Sequence, residues 1–145
     1  MGVTLVRPDI LASMSKGEHS STFGGNPISC AAGIAALKAL TEDGLIENSE
    51  KMGKIFREGL EKLKEKHTMI REIRGKGLMI GIEMKFEIKD ILMELIKDGV
   101  LMLYSGRNIL RILPPLVISE DDITKVLHAL DSILTKEEQK RNVQG

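Results

Sequence analysis

The chain has 145 residues, 42% of them hydrophobic, which is enough apolar material for a single hydrophobic core. Its 21 basic and 21 acidic residues cancel, so the charge balance gives no electrostatic case for a nucleic acid or an acidic membrane surface as partner. The sequence predicts neither a membrane span nor a signal peptide, and its single cysteine, Cys30, excludes an internal disulfide, so we expect a cytoplasmic protein.

The first segment of the chain is predicted to consist of a short strand, a loop and the start of a helix. Val3 to Val6 are predicted to form the strand, and Lys16 is interpreted as a solvated residue before the glycine-rich loop of residues 17–25. Asn26 is a good N-cap and Pro27 suits the first helical position, so a helix is predicted from Pro27 to about Thr41. Its unpaired first-turn amides favour an anion.

This first helix is apolar or small on nearly every side, so we expect other elements to cover it. A second helix is predicted from Ile46 to Lys66, where apolar residues recur every three or four positions. The hydrophobic period then changes to two, which predicts strands over Ile70–Arg74 and Leu78–Met84 around a turn at Gly75–Gly77. Alternate residues of the second strand are predicted to share one buried face, namely Leu78, Ile80, Ile82 and Met84.

A short helix is predicted next, with apolar residues from Ile88 to Ile96 at helical spacing and Gly99 as its stop. Two more strands are predicted over Val100–Tyr104 and Ile109–Leu113. The second of them ends at a pair of prolines, which cannot continue a ladder of hydrogen bonds.

Ser119 and the three acidic residues after it predict the start of a last helix, whose buried stripe runs from Ile123 to Leu134. The order of elements predicts an α+β fold in which helices cover a small, mostly antiparallel sheet. We place one boundary near Asn26, between a loop-rich segment, residues 1–26, and a small globular domain, residues 27–135. Residues 136–145 are predicted to form a flexible polar tail.

Three blocks of the sequence, in this order, carry a family resemblance: His19 to Pro27 with the small-residue run Cys30 to Gly33, then Arg74 to Glu83, then Leu110 to Leu116. Together they resemble the class III aminotransferases of the ornithine and acetylornithine type, which use pyridoxal phosphate. The similarity extends from about Gly2 to Leu134. It implies that the chain corresponds to the C-terminal third of such an enzyme, with the small helix-covered sheet of the C-terminal domain of fold-type I aminotransferases.

The resemblance implies roles for two hydroxyl-bearing residues of the loop. Thr22 matches the threonine that contacts the cofactor phosphate of the neighbouring subunit, and Ser21 matches a serine near both cofactor and substrate. From the residues alone, the same pair can be a Ser/Thr turn that only shapes the loop. The sequence departs from the commonest family pattern at Ser20, where glycine is more usual.

Arg111 matches a family arginine that engages either a glutamate of the large domain or the carboxylate of a glutamate or 2-oxoglutarate substrate. On the predicted strand it shares a face with Ile109 and Leu113, so we expect it to be partly buried and to need an anionic partner. A structural ion pair with a local acid such as Glu83 is the equal alternative.

The resemblance places the Schiff-base lysine and the groups that hold the cofactor ring upstream of this chain, so we assign no catalytic residue within it. We therefore expect the C-terminal part of an aminotransferase for ornithine, lysine or their N-acyl derivatives with 2-oxoglutarate or glutamate, inactive alone, whose site is completed by a second copy in a dimer or by a complementing N-terminal chain. The alternative is a truncated, non-catalytic remnant that acts as a self-associating structural domain. No metal site is predicted, because the three histidines are scattered and are expected at the surface or in loops, namely His19, His67 and His128.

Overall fold

The computed structural model describes residues 2–15 and 17–143, and its contacts divide the chain into two compact units, Met1–Gly44 and Leu45–Gly145. Lys16, interpreted from the sequence as a solvated loop residue, lies outside the described residues. The division falls after the first long helix, whereas the sequence places a boundary near Asn26. No helix in the described part of the chain combines the length and the apolarity needed to cross a membrane.

The first unit contains two helices, α1 (Pro8–Leu11) and α2 (Pro27–Glu42), of which α2 was predicted within one residue of its observed end. The strand predicted for Val3 to Val6 is wrong, because these residues are exposed and have no partner strand among the described residues. A β-strand needs a neighbour for its backbone hydrogen bonds. After α2 the chain turns at Gly44, whose φ of 68° is typical of a helix C-terminus.

The second unit has the predicted α+β architecture, in which helices cover a small antiparallel sheet. Its elements are α3 (Leu45–Lys66), β1 (Ile70–Lys76), β2 (Met79–Met84), α4 (Lys89–Lys97), β3 (Leu103–Tyr104), β4 (Ile109–Ile112) and α5 (Glu120–Val143). The strand order is β1-β2-β4-β3, and every neighbouring pair is antiparallel. α3 packs on β1 and β2, and α5 packs on α3 and α4, so the helices form one layer and the sheet the other.

The hairpin of β1 and β2 supplies much of the core, as its alternating pattern predicts. The largest side chains with almost no solvent exposure come from β2, from β4, from the helices above them and from the N-cap of α4, namely Phe56, Leu60, Ile80, Ile82, Met84, Ile88, Ile91, Leu95, Leu110, Ile123, Leu130 and Leu134. β1 continues to Lys76, two residues beyond the prediction, and pairs there with Met79. The turn therefore lies at Gly77, with a φ of 54°, and Leu78.

The strand predicted for Val100–Tyr104 is much shorter in the structure and comprises only Leu103 and Tyr104. The reason is the way α4 ends. Gly99 adopts a φ of 79°, and the Val100 N–H donates back to the carbonyl of Leu95 at 2.8 Å. The first residues of the predicted strand are thus used to close the helix.

The predicted flexible tail over residues 136–145 is wrong for its described part, because α5 continues without interruption to Val143. Glu137 is buried and accepts a hydrogen bond from Nε of Arg141 at 2.8 Å, one helical turn later. The Arg141 guanidinium also lies 3.4 Å from the ring centroid of Phe86. These contacts hold the end of the helix against the unit, and residues 144 and 145 lie outside the described residues.

The three histidines lie at the surface or in a loop, as expected, but the loop residue His67 is buried. His19 and His128 are exposed, but His67 is only 1% exposed. It follows the last residue of α3 and lies against α5 through two carboxylates.

We predict that Gly53→Ala destabilises the second unit, because an added Cβ on α3 would clash with the backbone carbonyl of Gly77. Overpacking of this kind costs about 1–3 kcal/mol, which outweighs the roughly 1 kcal/mol that alanine gains in helix propensity. The measurement is the free energy of unfolding, from chemical denaturation followed at amide signals of the second unit.

Gly59→Ala on the same helix is the matched control, since its Cβ would meet the flexible end of the Leu127 side chain and not a backbone atom. We expect this variant to lose distinctly less stability than Gly53→Ala. Equal losses for the two variants would show that the contact between Gly53 and Gly77 is not a special constraint.

Candidate functional site

Ser21 and Thr22 lie together in a tight turn of the first unit. The N–H of Gly24 donates to the carbonyl of Ser21 at 3.4 Å, which closes the turn. A Cβ at Gly24 would lie 3.0 Å from Cβ and 3.2 Å from Oγ of Ser21, so glycine leaves the room that the serine side chain occupies. Both side chains are exposed, and neither hydroxyl donates to or accepts from another described residue.

Asn26 joins this turn to the start of α2. Its Nδ2 donates to the carbonyl of Phe23 at 2.8 Å and to Oγ of Ser29 at 3.0 Å. Its Oδ1 accepts the N–H of Ser29 at 2.9 Å, which is the N-cap bond that the sequence predicts. One side chain therefore fixes both the loop that carries the hydroxyls and the first turn of the helix.

The chemistry of this turn suits a small anion. The hydroxyls of Ser21 and Thr22 can donate to a phosphate or carboxylate oxygen, and they lie five to six residues ahead of a helix whose dipole favours negative charge. Glu18, the acid closest to the turn in the sequence, accepts the N–H of Ser15 at 2.6 Å. Within its own unit, the turn can therefore contribute hydrogen bonds to an anion.

Arg111 lies on β4 in the second unit, and the expectation that it is partly buried is wrong. Leu110 and Ile112 point into the core, which leaves Arg111 on the opposite, exposed face of the sheet. It stands opposite Gly81 of β2 and Leu103 of β3. The helices cover only one face of this sheet, so a residue that alternates with the core residues is open to solvent.

The proposed ion pair between Arg111 and Glu83 is also wrong, because both oxygens of this carboxylate have other partners. Arg74 Nη1 lies 2.8 Å from Oε2, and Arg71 Nη1 lies 3.0 Å from Oε1. The hydrogen bonds from Arg74 and Arg71 hold the pKa of Glu83 below its usual value. Arg111 forms no ion pair with another described residue.

Arg111 lines a concavity of about 300 Å³ on the exposed face of the sheet. Arg74, Lys76 and Ser105 line it too, and Gly81 leaves its floor without a side chain. Arg74 is neutralised by Glu72 and Glu83, whereas Lys76 and Arg111 have no acidic partner among the described residues. The concavity is therefore positively charged and suited to a carboxylate.

Lys76 and Ser105 of this concavity were not singled out from the sequence. Lys76 belongs to a run of charges that is typical of a solvated strand edge, and Ser105 to a connecting loop. Lys76 comes near Arg111 through the sheet, in which β2 alone lies between β1 and β4. Ser105 comes near it through the β3–β4 connection, where the Ser105 N–H donates to the carbonyl of Ile109 at 2.9 Å. The described residues hold no group of three or more His, Cys, Asp or Glu side chains that could bind a metal ion.

A model of the family described as Aminotransferase class-III matches residues 1–134. The acetylornithine aminotransferase of Caldanaerobacter subterraneus is 45% identical over 133 residues, which cover 91% of this chain and 34% of that protein. Ornithine aminotransferase 1 of Staphylococcus saprophyticus is 38% identical over 136 residues, which cover 94% of this chain and 34% of that protein. The chain thus spans about a third of the length of these relatives.

Solved structures agree with the sequence matches. The acetylornithine aminotransferase from Elizabethkingia anophelis superposes with a TM-score of 0.83 at 34% identity, over 91% of this chain and 36% of that one. Ornithine delta-aminotransferase of Plasmodium falciparum superposes with a TM-score of 0.84 at 30% identity, over 90% of this chain and 35% of that one.

We predict that Asn26→Ala loosens the first turn of α2, because it removes the acceptor for the Ser29 N–H and the donor to Phe23. Loss of an N-cap costs about 1 kcal/mol, so amide hydrogen exchange at Ser29 should become roughly fivefold faster. Asn26→Asp is the control, since it retains the acceptor oxygen and should keep most of this protection. Equally fast exchange in both variants would contradict a role for the cap.

Proposed function

Because the chain belongs to the class III aminotransferase family, we propose that it is the C-terminal part of a pyridoxal-phosphate-dependent aminotransferase. Its amino donor is ornithine, lysine or an N-acyl derivative of either, and its acceptor is 2-oxoglutarate, with glutamate as the product. The named activities of the relatives, acetylornithine and ornithine aminotransferase, support this donor class. The observation that carries the proposal is the turn of Ser21 and Thr22, held by Asn26 at the start of α2.

The residues of this turn fit the phosphate group of the cofactor. Thr22 and Ser21 present exposed hydroxyls without described partners, and Gly24 leaves room in the turn for the Ser21 side chain. We assign Thr22 to the phosphate, in the site of a neighbouring subunit, and Ser21 to the phosphate and the adjoining substrate. When bound, the cofactor supplies the electron sink that makes transfer of an amino group feasible.

Arg111 is assigned to a carboxylate of the substrate. A guanidinium holds a carboxylate with two parallel hydrogen bonds, which fixes orientation as well as charge. Two observations support the assignment: Arg111 is exposed, and it has no acidic partner among the described residues. Lys76 adds a second positive charge to the same concavity.

We further propose that the chain is inactive alone and that its residues complete a composite site. The support is the span of the matches, about a third of each relative, together with the family's need for a lysine that bonds the cofactor. The partner is a second copy of the enzyme in a dimer or a complementing N-terminal chain.

The alternative function is a non-catalytic, self-associating structural domain, and one observation favours association. α2 has no buried residue, and it exposes Ile28, Ile34 and Leu37. A groove of about 730 Å³ runs along the same helix. Exposed apolar faces of this kind are typical of surfaces that pack against another protein.

We predict that the purified chain, incubated with pyridoxal phosphate and reduced with borohydride, yields no stoichiometric adduct by mass spectrometry. The reason is that the lysine that bonds the cofactor is assigned to another part of the enzyme. The Caldanaerobacter relative, treated in parallel, should yield one adduct per chain. A specific adduct on Lys16 would contradict the composite site.

A graft tests the assigned residues. We predict that the Caldanaerobacter enzyme, with its matched 133-residue segment replaced by this chain, transfers the amino group of N-acetylornithine to 2-oxoglutarate.

In the graft, Thr22→Val should raise the Kd of pyridoxal phosphate about tenfold, because one hydrogen bond to a charged group is lost. Arg111→Gln should raise KM for 2-oxoglutarate at least tenfold and leave the cofactor Kd unchanged.

Arg107→Gln is the matched control for Arg111, because Arg107 is an exposed arginine in the neighbouring loop and does not line the concavity. We expect it to change neither constant. A folded graft with normal cofactor affinity in Thr22→Val would refute the phosphate assignment. An inactive but folded graft would favour the non-catalytic alternative.

A further inference from the structure

The sheet of the second unit carries an excess of positive charge on the face that the helices leave open. Its strands contain four basic and two acidic residues, all outside the core, namely Arg71, Glu72, Arg74, Lys76, Glu83 and Arg111. The two glutamates are paired with Arg71 and Arg74. Two positive charges, those of Lys76 and Arg111, therefore remain without an acidic partner among the described residues.

The strand register brings these two cations to one concavity. Arg74, Gly81 and Arg111 form one row across β1, β2 and β4. Lys76 lies two residues after Arg74 and so on the same face of the sheet. The spacing of strands and residues in a sheet places the Cα atoms of Lys76 and Arg111 about 12 Å apart. Both side chains line the concavity of about 300 Å³, to which Gly81 contributes no side chain.

The backbone that carries Lys76 is fixed on both sides. Nη1 of Arg57 on α3 donates to the carbonyl of Gly75 at 3.3 Å. On the other side, Gly77 lies against Gly53 of the same helix. The ammonium group of Lys76 is thus presented to the concavity from an anchored strand end, while its side chain stays exposed to solvent.

The net charge of a ligand decides how this surface attracts or repels it. At neutral pH, 2-oxoglutarate is a dianion, and a diamino acid with one acylated amine has no net charge. Free ornithine and free lysine have two ammonium groups and one carboxylate, so each is a net cation. Acylation removes the second ammonium group and still leaves one amine to be transferred. The positive concavity therefore repels the free diamino acids and not their acylated forms.

We propose that Lys76 is a specificity-determining residue, whose charge makes the site favour N-acyl donors and the dicarboxylate acceptor over free ornithine or lysine. The inference rests on the proposed aminotransferase function and narrows its donor class to the acylated compounds. Lys76 acts through its charge and not through a bond to the reacting atoms. Its effect therefore falls on kcat/KM and fades as salt screens the charge.

Ligand binding to the full chain tests the proposal without any transfer reaction. The amide NMR signals of Gly81 and Arg111 are followed during titration with 2-oxoglutarate, N-acetylornithine or ornithine. At about 0.01 M salt, the Kd of ornithine should be about fivefold higher than that of N-acetylornithine, and the Kd of 2-oxoglutarate should be the lowest. At about 1 M salt the differences should largely disappear. Equal affinities at low salt, or no binding of any of the three, would overturn the proposal.

The graft in the Caldanaerobacter enzyme tests Lys76 itself. Lys76→Gln should lower the ratio of kcat/KM for N-acetylornithine to kcat/KM for ornithine about threefold at low salt, with kcat for N-acetylornithine unchanged. Lys76→Arg keeps the charge and should keep the ratio. An unchanged ratio in an active Lys76→Gln graft would overturn this inference and leave the proposed function intact. A folded but inactive graft would instead count against the proposed function, and with it against a role of Lys76 in donor choice.

Lys51→Gln is the matched control, because Lys51 is an exposed lysine of α3, in the helical layer on the other side of the sheet. It changes the net charge of the protein by the same amount as Lys76→Gln and should leave the ratio unchanged. A decrease as large as that in Lys76→Gln would show an effect of overall charge and would also overturn the proposal.

Discussion

The second unit depends on one close approach between two stretches of backbone. α3 lies so near the turn between β1 and β2 that Gly53 has no room for a Cβ beside the carbonyl of Gly77. The turn is confined as well, because a Cβ at Gly77 would lie 2.8 Å from Oγ of Ser49 on the same helix. The position of this turn fixes the position of β2, which pairs with both β1 and β4. Gly81 of β2 lies opposite Arg111 of β4. Two glycines thereby help to determine where the guanidinium lies on the sheet.

The elements that were predicted correctly are those whose signals are local. The helical period of α3, the alternation in β2 and the cap at Asn26 each depend on residues within a few positions of one another. Two of the errors arose where distant residues decide the structure. α5 is longer than predicted because Arg141 reaches Phe86, and Val3 to Val6 are not a strand because no partner strand is present among the described residues.

The candidate site shows the same division between local and distant information. The family resemblance identified Arg111, but its exposure depends on which face of the sheet the helices cover, and strand spacing alone cannot decide that. Lys76 and His67 were missed for a related reason. Each acquires its environment from an element far along the chain, β4 in the case of Lys76 and α5 in the case of His67.

The exposure of α2 has a consequence for the thermodynamics of the whole chain. A helix without a buried residue gains little free energy from burial of apolar surface, whereas the second unit contains a continuous hydrophobic core. The first unit is therefore expected to open at a small free energy while the second remains folded. We therefore expect the melting of this chain to depart from two-state behaviour, so that a single melting temperature describes only its core.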